Sequence, residues 1–440
     1  MFPENQRMPD LKAILSALFP TDSLCVYDCG DQTILFRQDG VVRFSVTALT
    51  NVLAAHGFIL REHNEIDSVS SYTYMNADAV MIHIWYSSAE RCLRTVYDPF
   101  TKKIPSEQIS SAENLPVKLW QFEIDHSLID CGMCYIFRLS DGSFFIIDSA
   151  HFYSVKDDAR IISFLQKRTP EGKKIHVRGW YFSHGHADHI CKAADILRYR
   201  KDIQIDAFYF NFIDLSLARL YAWDPADLRF EQNFRALVTE SGIPVFKLHT
   251  LQQIHFPGLA FTVLLTHEDV FPASLEDYNN SSSVISVCVG KDKILFPGDA
   301  SGESSPILEK RFSASLRCDI LQQAHHGHFG LSDAFYRAAD ASVLLSPTTR
   351  IKYDEEFPRF TANQTAAALA KYVFIASEGT VEFTFPLQDH KICRLPDEIF
   401  EDFDGILNLW NYSYPDAYKN KLYADFLNRQ STENYDLRNL

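Results

Sequence analysis

The segment Ser183-His184-Gly185-His186-Ala187-Asp188-His189 gathers three imidazoles and a carboxylate into a few residues. Neutral imidazole nitrogen and carboxylate oxygen are borderline-to-hard donors, a set that suits Zn2+ and tolerates Mn2+ or Fe2+. The preceding run Val177-Arg178-Gly179-Trp180-Tyr181-Phe182 is rich in aromatic and β-branched residues and reads as a buried strand. On extended backbone, His184 and His186 point the same way, because side chains two apart share a face. Beyond them Ile190, Ala193, Ala194 and Leu197 recur at helical spacing, which places Asp188 and His189 near the start of a helix. A strand-end pair followed by a helix-start pair offers two ligand sets to two adjacent cations. Without a cation, four such groups between apolar elements would repel one another or stay unsatisfied.

Two later segments repeat the pattern of an apolar strand ending in donors. Val284 to Val289, the turn Gly290-Lys291-Asp292 and the run Ile294-Leu295-Phe296-Pro297-Gly298-Asp299 read as a strand pair closed by an aspartate. Asp319 to Ala324 leads into His325-His326-Gly327-His328. Three strand ends carrying ligand-type side chains imply one common edge of the sheets. Earlier, Tyr135 to Leu139, the Asp141-Gly142 pair and Phe144 to Ile147 predict a hairpin with a type I′ turn, ending at Asp148.

The spacing His184-x-His186-x-Asp188-His189 resembles the metal-binding signature of the metallo-β-lactamase superfamily of binuclear hydrolases. The resemblance runs from about residue 118 to about 387. The Asn/Ser stretch Asn279 to Ser283, then Gly298-Asp299, then His325-His326-Gly327, is similar to the branch holding the hydrolase domain of competence-type DNA-uptake proteins and the phosphorylcholine esterases. It implies an α+β fold, an αββα sandwich, preceded here by a small N-terminal α+β domain. It further implies two divalent metal ions, with zinc the default and Mn2+ or Fe2+ as alternatives. By that pattern His184 and His186 bind the first metal, Asp188 and His189 the second, Asp299 bridges both and His325 completes the second. Asp148 supports the metal loop by hydrogen bonding. Asp188 also orients the nucleophile, and His326 is the catalytic imidazole that binds the transition-state oxygen or protonates the leaving group. Many members carry a further histidine before the Gly-Asp strand pair, where this chain has Asn279 or Asn280; His267 is a third candidate for that place.

Length and composition frame this reading. At 440 residues, with 46% hydrophobic and 13% aromatic residues, the chain supports one large domain with an appended smaller one. The expected division is an N-terminal α+β domain over 1–115, a catalytic domain over 116–390 and a C-terminal helical tail over 391–440. Helical patterns in the tail fall near Glu398 to Leu407 and Ala417 to Leu427. Near the N-terminus, Leu11 to Leu18 and Ser45 to Gly57 read as helices, and strand-like runs follow at Phe58 to Arg61, Ser68 to Tyr74, Ala79 to Tyr86 and Cys92 to Tyr97. The segment Asp98 to Asn114 reads as a linker. His83 alternates with apolar neighbours and is expected to be a packed strand residue. A net charge of −15 disfavours a groove for nucleic acid and favours a small substrate. Nine cysteines, an odd number dispersed in apolar runs, point to reduced thiols in a cytoplasmic protein, and the lone Cys131-x-x-Cys134 spacing is a weak metal signal. No apolar run reaches the ~20 residues a membrane helix needs. Asp214 to Phe230, rich in Tyr, Trp and acids, suggests an insertion over the site in which Trp223 could stack on substrate.

The expected function is hydrolysis through a metal-bridging hydroxide, on a phosphoester or phosphodiester. A lactone, β-lactam or thioester is the alternative within the same chemistry. A metal-containing binding or sensor protein is the alternative outside it. Oligomeric state is not encoded in any pattern found.

Overall fold

Residues 9–20, 23–99, 114–125, 131–154, 156–200, 202–218 and 225–395 are described by the structure, a computed structural model. Three sheets organise the chain. The first is antiparallel and drawn wholly from residues 24–98. Its strands lie in the order Leu24–Asp28, Ile34–Asp39, Cys92–Asp98, Met81–Ser87, Val69–Met75, Ile59–Ile66. The helices Leu11–Leu18 and Val46–Ala55 accompany it, capped by Asp10 and Ser45, whose side chains accept from Ala13 N and Ala48 N. Strands Leu24–Asp28 and Ile34–Asp39 add to the four expected from the sequence. His83 is a packed strand residue, its ring held between Thr73 Oγ1 (2.9 Å) and the Thr250 carbonyl (2.8 Å).

The other two sheets lie face to face. One runs Val245–Phe246, Phe208–Tyr209, Ile175–Tyr181, Phe144–Ile147, Tyr135–Arg138, Lys118–Gln121, Val381–Thr384, Ile392–Arg394, with Ile203–Ile205 also paired to Ile175–Tyr181. Its partner runs Gln253–Phe256, Leu259–Leu265, Val284–Val289, Asp292–Phe296, Ile320–Gln322, Val343–Ser346, Tyr372–Ile375. Phe137, Phe145 and Tyr181 from the former share a buried cluster with Phe261, Val287 and Phe296 from the latter. Helices Asp157–Arg168, Ala187–Tyr199 and Pro225–Ser241 cover the outer face of the first of these sheets through Phe164, Ile190, Ile196 and Phe234. Helices Ser305–Phe312, Asp333–Ala339 and Thr361–Leu369 flank the other through Leu308, Phe335 and Ala366. Helix, sheet, sheet, helix is the layering expected from the sequence, and it follows from strands buried on both faces needing cover on both. The six-stranded sheet joins one of these cores, since Leu35, Val69, Trp85 and Val96 belong to the same cluster as Leu265 and Phe312.

Phe144–Ile147 and Ile175–Tyr181 are parallel neighbours, as are Asp292–Phe296 and Ile320–Gln322. Their carboxyl ends therefore open into one crevice. The hairpin before Asp148 departs from the expected turn. Only Gly142 takes positive φ (82°), and Leu139 N donates to Ser143 O at 2.8 Å. A type I′ turn would need positive φ at both central residues, so Asp141 instead uses its side chain to accept from Ser143 N (3.1 Å). Cys134 is a free thiol, and burial pushes its pKa well up, as in an ordinary core cysteine. Among the described residues no helix is long and apolar enough to cross a membrane. Most of the expected linker, Trp223 and both tail helices lie outside the described residues, while Ile392–Arg394 is a strand of the sandwich.

Candidate metal centre

Asp148 is fully buried at φ 55°, a left-handed conformation that Asp tolerates better than most residues. One carboxylate oxygen accepts from Ser183 N (2.8 Å), the other from Ser183 Oγ (2.9 Å) and His189 Nδ1 (2.9 Å). With its own hydrogen donated to Asp148, Ser183 Oγ is left to accept from His184 Nδ1 at 3.1 Å. His326 Nδ1 donates to the Pro347 carbonyl at 2.8 Å. Each of these bonds fixes an outward nitrogen and turns Nε2 of His184, His189 and His326 toward the crevice, the arrangement that orients an imidazole ligand.

Inside the crevice the donors converge on Asp299. Its Oδ2 lies 3.3 Å from His189 Nε2, 3.3 Å from His326 Nε2 and 3.9 Å from His184 Nε2. Asp188 Oδ2 is 3.0 Å from His326 Nε2 and 3.6 Å from His189 Nε2. His184 Nε2 and His186 Nδ1 are 2.9 Å apart. Two groups result, Asp188–His189–Asp299–His326 and His184–His186–Asp299, with Asp299 common to both.

The charges of the cluster follow from this crowding. Burial would raise the carboxyl pKa of Asp188 and Asp299, but the His189 and His326 imidazoles outweigh it and hold both well below the usual range. Burial opposes protonation of His189 and His326 as well. Asp299 and Asp188 nevertheless push His326 up to about 10 and His189 well above its ordinary value. His184 goes the other way, lowered by burial and by its neighbours His189 and His186, and is therefore neutral, the form that ligates. Protons on His189 and His326 supply the positive charge that the two carboxylates require, and a divalent cation can replace them.

The donor set passes a further test of fit. His326 Nε2 and Asp299 Oδ1 are buried and make no hydrogen bond, although His326 Nε2 is 3.0 Å from Asp188 Oδ2. Two ligand-type atoms left unpaired in a buried cluster, beside the pairs His184–His186 and His189–Asp299 that do bond, fit a cation site. Gly185 is a consequence of the same crowding, since a Cβ there would lie 2.5 Å from Glu231 Oε2 and 2.8 Å from the Tyr278 hydroxyl.

Of the sequence-derived candidates, His184, His186, Asp188, His189 and Asp299 are brought together. His325 is not, and this corrects its expected place. His325 and His326 take φ 50° and 53°, so the turn presents the second imidazole to the crevice. The His325 ring is half-buried, its Nδ1 donating to the Phe329 carbonyl at 2.9 Å. His326, expected as a free catalytic imidazole, occupies the place expected for His325. His267 belongs to a different network, with Nε2 3.1 Å from Asn211 Oδ1. Unforeseen in the sequence were Gln322, which clamps Gly298 by accepting from its N–H (2.8 Å) and donating to its carbonyl (2.9 Å), and the buried Glu231 beneath Gly185. Neither stands in a motif, and each meets its partner only through the fold.

No family profile matches the chain, and no curated protein matches it. Among solved structures it is similar to the metallo-β-lactamase fold protein YhfI from Bacillus subtilis, at 12% identity over 59% of this chain and 97% of that one, with a TM-score of 0.37. CmlA, a diiron β-hydroxylase from Streptomyces venezuelae, matches at 12% identity over 66% and 55% of the two chains, with a TM-score of 0.36. Unliganded yeast PDE1 matches at 10% identity over 59% and 97%, with a TM-score of 0.35. The chain is a mixed α/β protein with metallo-β-lactamase-fold neighbours. Likeness at this level leaves the chemistry to be argued from the chain's own donors.

Proposed function

We propose that the chain is a metal-dependent hydrolase acting on a small phosphoester or phosphodiester. The observation that carries this reading is the convergence of two donor groups, buried but for the half-buried His186, on the single carboxylate of Asp299. His184, His186 and Asp299 would hold one divalent cation, and Asp188, His189, Asp299 and His326 the other. When bound, such a pair supplies a water acidic enough to attack at neutral pH and a Lewis acid for the scissile group. Asp188, whose carboxylate is held in the ionised form, would orient that water. Pro347, Ser183 and Asp148 keep the inward imidazoles in one tautomer throughout.

The phosphoester preference rests on the resemblance of the Asn/Ser, Gly-Asp and His-His-Gly segments to phosphodiester-cleaving relatives, and the charge of −15 favours a small substrate over nucleic acid. The test is turnover of bis(p-nitrophenyl) phosphate, p-nitrophenyl phosphate and a simple lactone by protein stripped with chelator and reloaded with Zn2+, Mn2+ or Fe2+. Metal-dependent phosphoester cleavage is expected, lost by at least about a hundredfold in His186→Ala and Asp188→Ala, which end elements and need not fill the core. Turnover of the lactone alone would reassign the substrate class. No metal-dependent turnover on any of the three would leave a binding or sensor role.

A further inference from the structure

The two donor groups are unequal. Asp188, His189, Asp299 and His326 offer four atoms, whereas His184, His186 and Asp299 offer three. A zinc site of this chemistry ordinarily has four ligands, of which a catalytic site draws three from the protein, so the second group has one open position, for water or for a further protein donor.

The turn that packs on His186 supplies one. Tyr278 places its ring 4.5 Å from the His186 ring and 6.3 Å from the His184 ring, centroid to centroid. It opens the short 3-10 turn Tyr278–Ser281. Ser282 Oγ, just after that turn, accepts from Asp299 N (3.2 Å), which ties the segment to the shared carboxylate. Within this segment most polar groups have assigned work. Asn280 accepts from Ser301 Oγ and donates to the Ala273 carbonyl (3.2 Å), and Ser281 Oγ donates to the Tyr278 carbonyl (2.6 Å). Asn279 differs. Its backbone N–H donates to Asp277 Oδ1 (2.8 Å), yet its side-chain Oδ1 is buried with no hydrogen-bond partner, in a residue only 9% exposed. An unpaired buried amide oxygen is unfavourable, and a cation beside it would remove that cost.

Resting on the metal-centre reading above, we propose that Asn279 Oδ1 is the further protein donor at the His184–His186–Asp299 position. A neutral amide oxygen is a harder and weaker donor for zinc than an imidazole. The two cation positions are therefore inequivalent. The one with Asn279 binds Zn2+ less tightly and discriminates less against Mn2+ than the position built on His189 and His326.

The experiment is calorimetric titration of the chelator-stripped full chain with Zn2+ alone and with Mn2+ alone, without any substrate. Wild type is expected to show two classes of site. Asn279→Ala should weaken one class by about tenfold or more and leave the other unchanged. Asn279→Asp, which keeps the oxygen and adds charge, should tighten that class, and Asn279→His should raise its preference for Zn2+ over Mn2+. Thermal melting of the metal-free variants monitors folding. If Asn279→Ala fails to fold, Asn279→Asp decides: unchanged affinities in that folded variant overturn the assignment. Two classes unaffected by every substitution at 279 also overturn it while leaving the metal centre standing. A wild-type chain that binds neither metal sinks the centre itself, and the role of Asn279 with it.

Discussion

Asp148 holds no position among the converging donors, yet it determines where one of them points. Its two oxygens take three hydrogen bonds, two from Ser183 and one from His189. Asn at this position would keep both the size and the tolerance for φ 55°. It would exchange one acceptor oxygen for a donor, so either Ser183 N or the pair Ser183 Oγ and His189 Nδ1 would lose its acceptor. Asp148→Asn is therefore expected to leave the metal-free fold intact while lowering metal affinity about 10–100-fold, as supporting groups of this kind do. Competition with a chelating dye measures it. An affinity equal to wild type would show that His189 is oriented by other means. His325 and His326 teach a related lesson about adjacent identical side chains. Composition places two imidazoles after the strand Ile320–Gln322, but only the backbone at φ 50° and 53° decides which one enters the crevice.

At the scale of elements, the crevice depends on how closely two strand-end loops approach. Gly298 takes φ 58°, and a Cβ there would stand 2.7 Å from Ser183 Cβ, whose hydroxyl organises Asp148 and His184. Gly290 is a useful contrast, with φ 62° and nothing within 4 Å of its would-be Cβ. Gly290→Ala should cost only the left-handed penalty, about 1–2 kcal/mol. Gly298→Ala should add roughly 1–3 kcal/mol of overpacking and also weaken metal binding. Denaturant unfolding compares them, and equal losses at both positions would remove close approach as the reason for Gly298. Elements with strong periodicity were legible in the sequence: the strands flanking the donors, the helix from Ala187 and the layering that follows from their alternation. Strands Leu24–Asp28 and Ile34–Asp39 were not, because they are short, partly exposed and separated by Gly30-Asp31 and polar neighbours. The helix at Pro225–Ser241 begins earlier than its apolar pattern, since Asp227 and Glu231 face His186 and Gly185 and look like surface acids in sequence. Asn279 was visible as one of three candidates, and it is set apart because the Asn280 side chain pairs with Ser301 and Ala273 while His267 Nε2 lies against Asn211 in a different network.

The whole molecule is held across the junction between the six-stranded sheet and the sandwich by buried charges as well as apolar area. Asp269 Oδ1 accepts from Trp85 Nε1 (2.7 Å) and Arg311 NH1 (2.7 Å), while the Asp269 carbonyl accepts from Arg94 NH2 (3.1 Å). Removing one partner of such a group leaves an uncompensated buried charge, so Arg311→Met is expected to cost about 3–5 kcal/mol.

His249 lies at the same junction and gives it a pH dependence. Its Nδ1 is 2.8 Å from Glu268 Oε2 and its Nε2 3.5 Å from Asp98 Oδ2. The His83 ring stacks 5.5 Å away, and Lys247 Nζ is 3.9 Å from Asp98. Burial opposes a charge on His249, but Glu268 and Asp98 raise its pKa to about 9, while His249 in turn helps lower Glu268 to about 2. A histidine raised on folding contributes stability that is fully present below its unfolded pKa of about 6.5 and is lost as pH rises through the folded value near 9. The depressed Glu268 works in the opposite sense, its contribution present above about 4.5 and lost as pH falls toward 2. Between those limits both contributions are complete. His249→Gln removes the cation but leaves the two acids, so it should destabilise most near pH 6. The gap from wild type should narrow as pH approaches 9.5, where the wild-type imidazole is itself mostly neutral. Urea unfolding of metal-free protein at pH 6, 7.5 and 9.5 reads this directly. A gap that does not change with pH would mean that His249 contributes packing and hydrogen bonds across the junction but no charge.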